Sequence, residues 1–215
     1  MARAAVAIPP ALARRGNRVL RPRDAKGIYA HPRAELHRLS RTGAVRRLAT
    51  GYYVLVPQEW WGDDRWLPDL DAAALGLAQT DYGADGTALV GISAAHHHGA
   101  IPRAVAVAVV AVPKQRPALD TRYGRVIFVK RDARRLDLER VDTAFTSGWV
   151  TTIEQTLLDL AARPTLGGLA AADATEAVRA LAPRADWALV QQLAQEQHRP
   201  GGFRAALDIA ERNHA

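Results

Sequence analysis

The sequence predicts an α+β protein, a small basic helix-and-ribbon domain followed by a mixed α/β domain that ends in helices. Three observations predict it. Positive charge is confined to one end: residues 1–56 hold 12 Lys/Arg against 2 Asp/Glu, a net of +10, whereas residues 57–215 hold 17 against 20, a net of −3. Inside the basic quarter, short helix signals run into a glycine-punctuated β ribbon, PRAELHRLSRTGAVRRLATGYYVLVP. Beyond it, valine-rich runs of strand length alternate with Ala- and Leu-rich helical spacing. The 215 residues, 48% hydrophobic with a mean hydropathy of −0.15, suffice for one large domain or two small ones. The charge step favours two: 1–57, a Trp-rich connector at 58–68, and 69–215.

In chain order, Pro9 and Pro10 admit a short helix over Ala7–Arg15, which Gly16-Asn17 stops. Arg18–Leu20 adds a short strand. Pro22 starts a second short helix through Asp24 and Ala25, which Gly27 ends. Pro32, with His31 before it, opens the basic helix, because its ring fixes φ near the helical value and its missing N–H would go unpaired there anyway. Leu36 and Leu39 fall on one face, Gly43 suits a left-handed stop, and Ala44–Val56 forms two strands around Thr50-Gly51. Three short helices followed by a ribbon make a winged helix-turn-helix.

Arg33, Arg38 and Arg41 lie on or beside the basic helix, Arg46 and Arg47 open the ribbon, and Tyr52 sits beside the Gly51 turn. Together they are the candidate DNA-binding residues, since one surface would bring cations to phosphates from two directions. A plain preference for arginine, 26 against 3 Lys, would spread the excess positive charge along the chain; the confinement of the whole net excess to the first quarter argues for an anionic partner.

The connector QEWWGDDRWLP carries three of the five tryptophans and reads as a docked segment, because three exposed indoles would leave a sizeable apolar patch. Base stacking by these rings is disfavoured by Asp63 and Asp64, which would repel phosphate. Asp69–Thr80 has helical spacing and Asp81–Gly86 is a turn. Ala88–Ile92 is strand-like, and Ser93 caps a short helix closed by Gly99. The apolar run Ala104–Val112, with its strand over Val105–Val112, and Arg125–Lys130 are the clearest strands. A polar segment from Pro113 to Gly124 joins them, and Trp149–Thr151 adds another strand. Thr152 and Gln155 form a capping box for a helix over Ile153–Ala162, and amphipathic helices follow over Leu169–Leu181, Trp187–Gln197 and Phe203–Arg212.

Several chemistries are excluded. The chain has no cysteine, which removes disulfides, thiolate catalysis and Cys-based zinc sites and is compatible with a cytoplasmic protein. The N-terminal apolar run is too short for a signal peptide, and none approaches the ~20 residues of a membrane span. His96, His97 and His98 invite a metal, but successive helical residues point about 100° apart, so three cannot face one ion without unwinding the backbone, although one could combine with distant carboxylates; a packed or hydrogen-bonded histidine helix is expected, with no metal. Gly91-Ile92-Ser93 and Asp69-Leu70-Asp71 resemble fragments of a nucleotidyltransferase site in reversed order. No paired strand carboxylates, phosphate loop or Gly-x-Ser-x-Gly elbow occurs, so no catalytic residue and no cofactor is expected. Lys130, Arg131, Arg134 and Arg135 form a second basic cluster, read either as an ion-paired loop, given Asp132, Asp137 and Glu139 nearby, or as a second DNA or partner contact.

Three segments together resemble AbiEi-type antitoxins, the partners of AbiEii nucleotidyltransferase toxins. LHRLSRTGAVRRLATGYYVL at Leu36–Leu55 is similar to that family's helix, Gly, basic and Gly-Tyr wing. ALVGISAAHHHGAI at Ala88–Ile101 resembles its entry into the second domain, and WVTTIEQTLLDLAARP at Trp149–Pro164 its Thr-capped helix. The likeness covers roughly residues 15–165. It implies a winged helix that binds operator DNA in the operon's own promoter, with Arg33, Arg38 and Arg41 on the recognition helix and Arg46 and Arg47 at the wing. It also implies a C-terminal domain that supplies antitoxin activity against the toxin. The alternatives are an antitoxin that masks its toxin by protein contact, and a winged-helix regulator outside such an operon.

Overall fold

The computed structural model describes residues 7–101, 106–168 and 170–212, so Ala104, Val105 and Leu169 of the expected elements lie outside the described residues. The protein is α+β. The N-terminal part runs α1 (Pro10–Ala13), β1 (Val19–Leu20), a 3-10 turn at Pro22–Ala25, α2 (Pro32–Arg41), β2 (Val45–Ala49) and β3 (Tyr52–Leu55). Its three strands form an antiparallel sheet in the order β1-β3-β2, with Val19 opposite Val54 and Val45 opposite Leu55. Leu12, Leu20, Leu36, Leu39, Val45 and Leu55 close a small core between helices and ribbon. Each fully buried leucine contributes about 1.5–3 kcal/mol.

The rest comprises α3 (Leu70–Tyr82), β4 (Ala88–Leu89), α4 (Ile92–His97), β5 (Val107–Val112), β6 (Leu119–Thr121), β7 (Gly124–Lys130), β8 (Leu138–Asp142), β9 (Ser147–Thr151), α5 (Ile153–Ala162), α6 (Ala171–Leu181), α7 (Trp187–Glu196) and α8 (Pro200–Glu211). The second sheet has the order β6-β7-β5-β4-β9-β8 and is mixed: β5/β7 and β4/β9 are parallel, the other pairs antiparallel. The uninterrupted apolar run of β5 follows from burial on both faces. Ala108, Val110 and Val112 pack toward α3, while Val109 and Ala111 join the cluster of Leu157, Val178 and Val190 beneath α5, α6 and α7.

Helix α3 lies between the two sheets. Its buried run Ala72–Ala78 shares one apolar cluster with Val19, Leu48, Tyr52 and Val54 of the first sheet and with Val110, Phe128 and Val150 of the second. Packing therefore continues across the charge step at residue 57. Gly76 makes the approach of β1 possible, since a Cβ there would stand 2.5 Å from Val19 Cγ2. Asn17 Nδ2 donates to the Gly76 carbonyl at 2.9 Å, and Thr80 Oγ1 donates to the Val19 carbonyl at 3.1 Å, so the seam is also hydrogen-bonded.

Four local expectations are corrected. Ser93 does not cap α4: Gly91 at φ +56 occupies that place, and the Ser93 hydroxyl is taken up elsewhere. Gln155 does not reach back to close a capping box; Thr152 Oγ1 accepts from Gln155 N, but the Gln155 side chain is held by Gln197 and Asp159, and the Thr152 amide bonds Asp137 O. The polar segment 113–124 and the acidic stretch after Arg135 contain strands β6 and β8, both on sheet edges, where charged residues are the rule. Helix α8 begins at Pro200 and takes Gly201-Gly202 into its first turn.

Candidate nucleic-acid interface

Helix α2 buries Leu36 and Leu39 and exposes Arg33, His37, Arg38 and Arg41. It is stopped at Gly43, whose φ is +76. A Cβ at Gly43 would lie 2.4 Å from Gly62 N, so the residue also admits the connector against the start of the ribbon. The ribbon turns at Thr50-Gly51 with a bulge between Arg47 and Ala49. Arg47 is exposed at this tip, where its guanidinium donates to Thr50 Oγ1 at 3.0 Å.

The six N-terminal candidates separate. Arg33, Arg41 and Arg47 are exposed and form no ion pair among the described residues. Arg38 is exposed but pairs with Glu35 at 2.9 Å. Arg46 is not on the surface with them. Its side chain, 18% exposed, turns into the connector, donating to Asp63 O at 2.6 Å, facing Asp64 at 3.6 Å and lying 5.7 Å over the Trp66 ring. Tyr52 is also removed from the set: it is 5% exposed in the core, and its hydroxyl donates to Asp81 at 2.5 Å. The alternation of the ribbon decides both, because Tyr52 points to α3 while its neighbours point away.

Asp81, at the end of α3, gathers charge that sequence spacing does not reveal. Besides Tyr52 it accepts from Arg21 at 2.7 Å, Arg116 at 2.7 Å and Arg23 at 3.1 Å. Burial pushes its carboxyl up, but the Tyr52 hydroxyl and the guanidiniums outweigh burial and hold it below the ordinary value. One carboxylate shared by three guanidiniums leaves a local surplus of positive charge, even with Asp24 3.9 Å from Arg23. Arg21 and Arg23 then line a concavity of about 640 Å³ together with Lys26, His31, Arg33 and the Gly51 turn. The groove thus runs from the 3-10 turn, past the N-terminus of α2, to the ribbon tip. Arg21, Arg23 and Lys26 are not among the sequence candidates; their only signal is their share in the +10 charge.

The remaining candidates lie elsewhere. Lys130, Arg134 and Arg135 are exposed around the 3-10 turn Ala133–Arg135. Arg131 leaves that cluster: it is largely buried, ion-paired to Asp159 and 3.3 Å from Gln197 Oε1. In the connector, Trp61 donates Nε1–H to Val56 O at 2.9 Å and Trp66 packs edge-on against Phe145, while Trp60 remains 39% exposed. Asp71 and Ser93, the two nucleotidyltransferase-like fragments, do meet. Asp71 accepts from the Ser93 hydroxyl and lies 2.7 Å from His96 Nδ1, while Ser93 Oγ accepts from Val109 N at 2.9 Å. Burial raises the Asp71 carboxyl above its ordinary value. Ser93 is 1% exposed, so this triplet ties α3, α4 and β5 together and offers no nucleophile to solvent.

No family model matches the chain, and no curated protein matches it. Among the described residues, no helix is long and apolar enough to cross a membrane.

Proposed function

We propose that this protein binds double-stranded DNA through its N-terminal part as a winged helix-turn-helix, with α2 in the major groove and the β2–β3 ribbon as the wing. On this reading it is a cytoplasmic, non-enzymatic AbiEi-type antitoxin that represses its own operon and counteracts a nucleotidyltransferase toxin. The observation that carries the DNA reading is the basic groove. Its cations surround the N-terminus of α2, and two of them, Arg21 and Arg23, share the carboxylate of Asp81 with Arg116, with Asp24 3.9 Å from Arg23. The strand order β1-β3-β2, with a helix leading into the hairpin, supports the winged-helix assignment. The three-segment resemblance supports the antitoxin role.

The test is binding to the DNA upstream of its own operon, followed by fluorescence anisotropy across a salt series. Arg33→Ala, Lys26→Ala and Arg47→Ala should each lower the log–log salt slope by about 0.9 for every phosphate left without its cation, whereas Arg46→Ala should leave the slope alone. A reduced slope in Arg46→Ala and an unchanged one in the other three would refute the docking. A second reading, masking of the toxin by direct protein contact, is favoured by Trp60 and Leu67, large apolar side chains 39% and 67% exposed on the connector. Co-purification with the toxin through high salt, abolished in a Trp60→Ser/Leu67→Ser variant, would favour it.

A further inference from the structure

The structure brings together three side chains that the DNA-reading face does not use: His97 and His98 at the end of α4 and Glu139 on the edge strand β8. Helix α4 stops at His97, and the chain turns through His98 to Gly99 at φ +76. The two successive rings therefore meet edge to face, centroids 5.2 Å apart, instead of fanning out by the ~100° per residue of a continuing helix. His96 faces away from them, to Asp71.

The hydrogen bonding of His98 fixes which atom it offers. Its Nε2 lies 2.7 Å from the Thr151 carbonyl oxygen, which can only accept, so Nε2 carries the hydrogen and the neutral ring presents its lone pair at Nδ1. That nitrogen faces Glu139 Oε1 at 3.8 Å, and His97 Nε2 faces the same oxygen at 3.9 Å. Both separations exceed the ~2.7–3.2 Å of an N–H···O bond, so the three groups surround a gap without bonding one another. All three ligand atoms lie within 4.8 Å of each other. Bonds of about 2.0–2.1 Å to a tetrahedral metal place ligand atoms about 3.4 Å apart, a contraction of up to about 1.4 Å that rotation of the exposed His97 and Glu139 side chains can supply. Arg184, the neighbouring cation, donates Nη1–H to the His98 main-chain oxygen at 2.6 Å and is held there.

We propose that His97, His98 and Glu139 form a three-ligand site for a zinc-class divalent metal, completed by water, that clips the end of α4 to the edge strand β8. Two imidazoles and one carboxylate suit zinc and its neighbours over magnesium or calcium, which take oxygen ligands. Helical spacing forbids three histidines from sharing one ion and leaves a histidine free to combine with a distant carboxylate; with the helix ending at His97, two histidines and Glu139 do so.

The test uses the full chain and zinc chloride alone, read by titration calorimetry and thermal melting, with magnesium chloride in parallel. One zinc should bind, and at about 100 times its Kd should raise Tm by about 5–10 °C, with no rise from magnesium. His97→Ala and Glu139→Gln alter exposed side chains and should fold with unchanged metal-free Tm, but bind zinc at least ten times more weakly. Cobalt(II) should give a tetrahedral absorption spectrum that both variants lose. Absence of a zinc-dependent rise would overturn the site. A rise retained in the His97→Ala/Glu139→Gln double variant would overturn it as well, by assigning the metal to other histidines.

Discussion

Replacing Asp81 by Asn tests whether one carboxylate both braces the fold and limits the charge of the groove. The substitution keeps the shape but removes the charge that binds three guanidiniums and the Tyr52 hydroxyl. The Tyr52 bond to an ionised acceptor, made in the core, is worth about 1.5 kcal/mol. The pair with Arg116, which is 19% exposed, is worth about 1 kcal/mol, Arg21 about half of that, and the half-exposed Arg23 close to nothing. The loss at pH 7 is therefore about 3 kcal/mol, or about 6–12 °C in Tm. The pH dependence has a definite sign. The folded carboxyl sits below its ordinary value of 3.8, so its stabilisation is fully present above about pH 4 and disappears as pH falls through the folded value. Urea unfolding at pH 7 should separate the two proteins, and at pH 3 the gap should be closing. DNA binding should move the other way: with the carboxylate neutralised, affinity for unrelated DNA should hold or rise and the salt slope should not fall. Equal urea midpoints at pH 7, or a gap that widens toward pH 3, would refute the reasoning.

Two further perturbations address the supporting structure. Gly43→Ala places a Cβ 2.4 Å from Gly62 N at a φ of +76, where an L-residue already loses about 1–2 kcal/mol. It should lower Tm by more than about 5 °C and shift tryptophan emission as Trp61 loses its bond to Val56 O. Asp159→Asn strips Arg131 and Arg199 of their shared, 6%-exposed carboxylate and should destabilise the chain by about 3 kcal/mol in urea. An unchanged midpoint would mean that Gln197 holds Arg131 unaided and that Arg199 needs no ionised partner.

Much of the fold was legible because it follows from local chemistry. Pro32 and Gly43 bound α2, Thr50-Gly51 marks the ribbon turn, and Thr152 and Pro164 bracket α5. Strands β6 and β8 were not, since edge strands carry LDT and LERVD in place of alternating apolar residues. The Gly pair just ahead of the helix expected over Phe203–Arg212 is part of α8 because Gly202 is buried against α5, and packing there outweighs propensity. In the candidate interface, sequence placed Arg33, Arg41 and Arg47 on an exposed face but did not show that Arg46 and Tyr52 turn inward, nor which carboxylate pairs with Arg131. Each of the three is withdrawn from solvent by a partner distant in sequence or across a turn: Asp63 and Trp66, Asp81, and Asp159. Nothing in local spacing announces such partners. The same holds for Arg21 and Arg23, whose importance comes from Asp81 some 60 residues away.

The position of α3 bears on how such a chain can be cut and recombined. A helix whose one side fits Val19 through Gly76 and whose other side underlies β5 belongs to both sheets at once. A chimera joined at residue 57 would expose Leu48, Val54 and half of α3 to water, and neither fragment would keep a closed interior. A cut after Tyr82 would keep the helix with the ribbon but uncover Val110, Phe128 and Val150 of the second sheet instead. A graft of the first sheet would have to keep an underside matched to α3, while the exposed faces of α2 and the ribbon tip are free to vary.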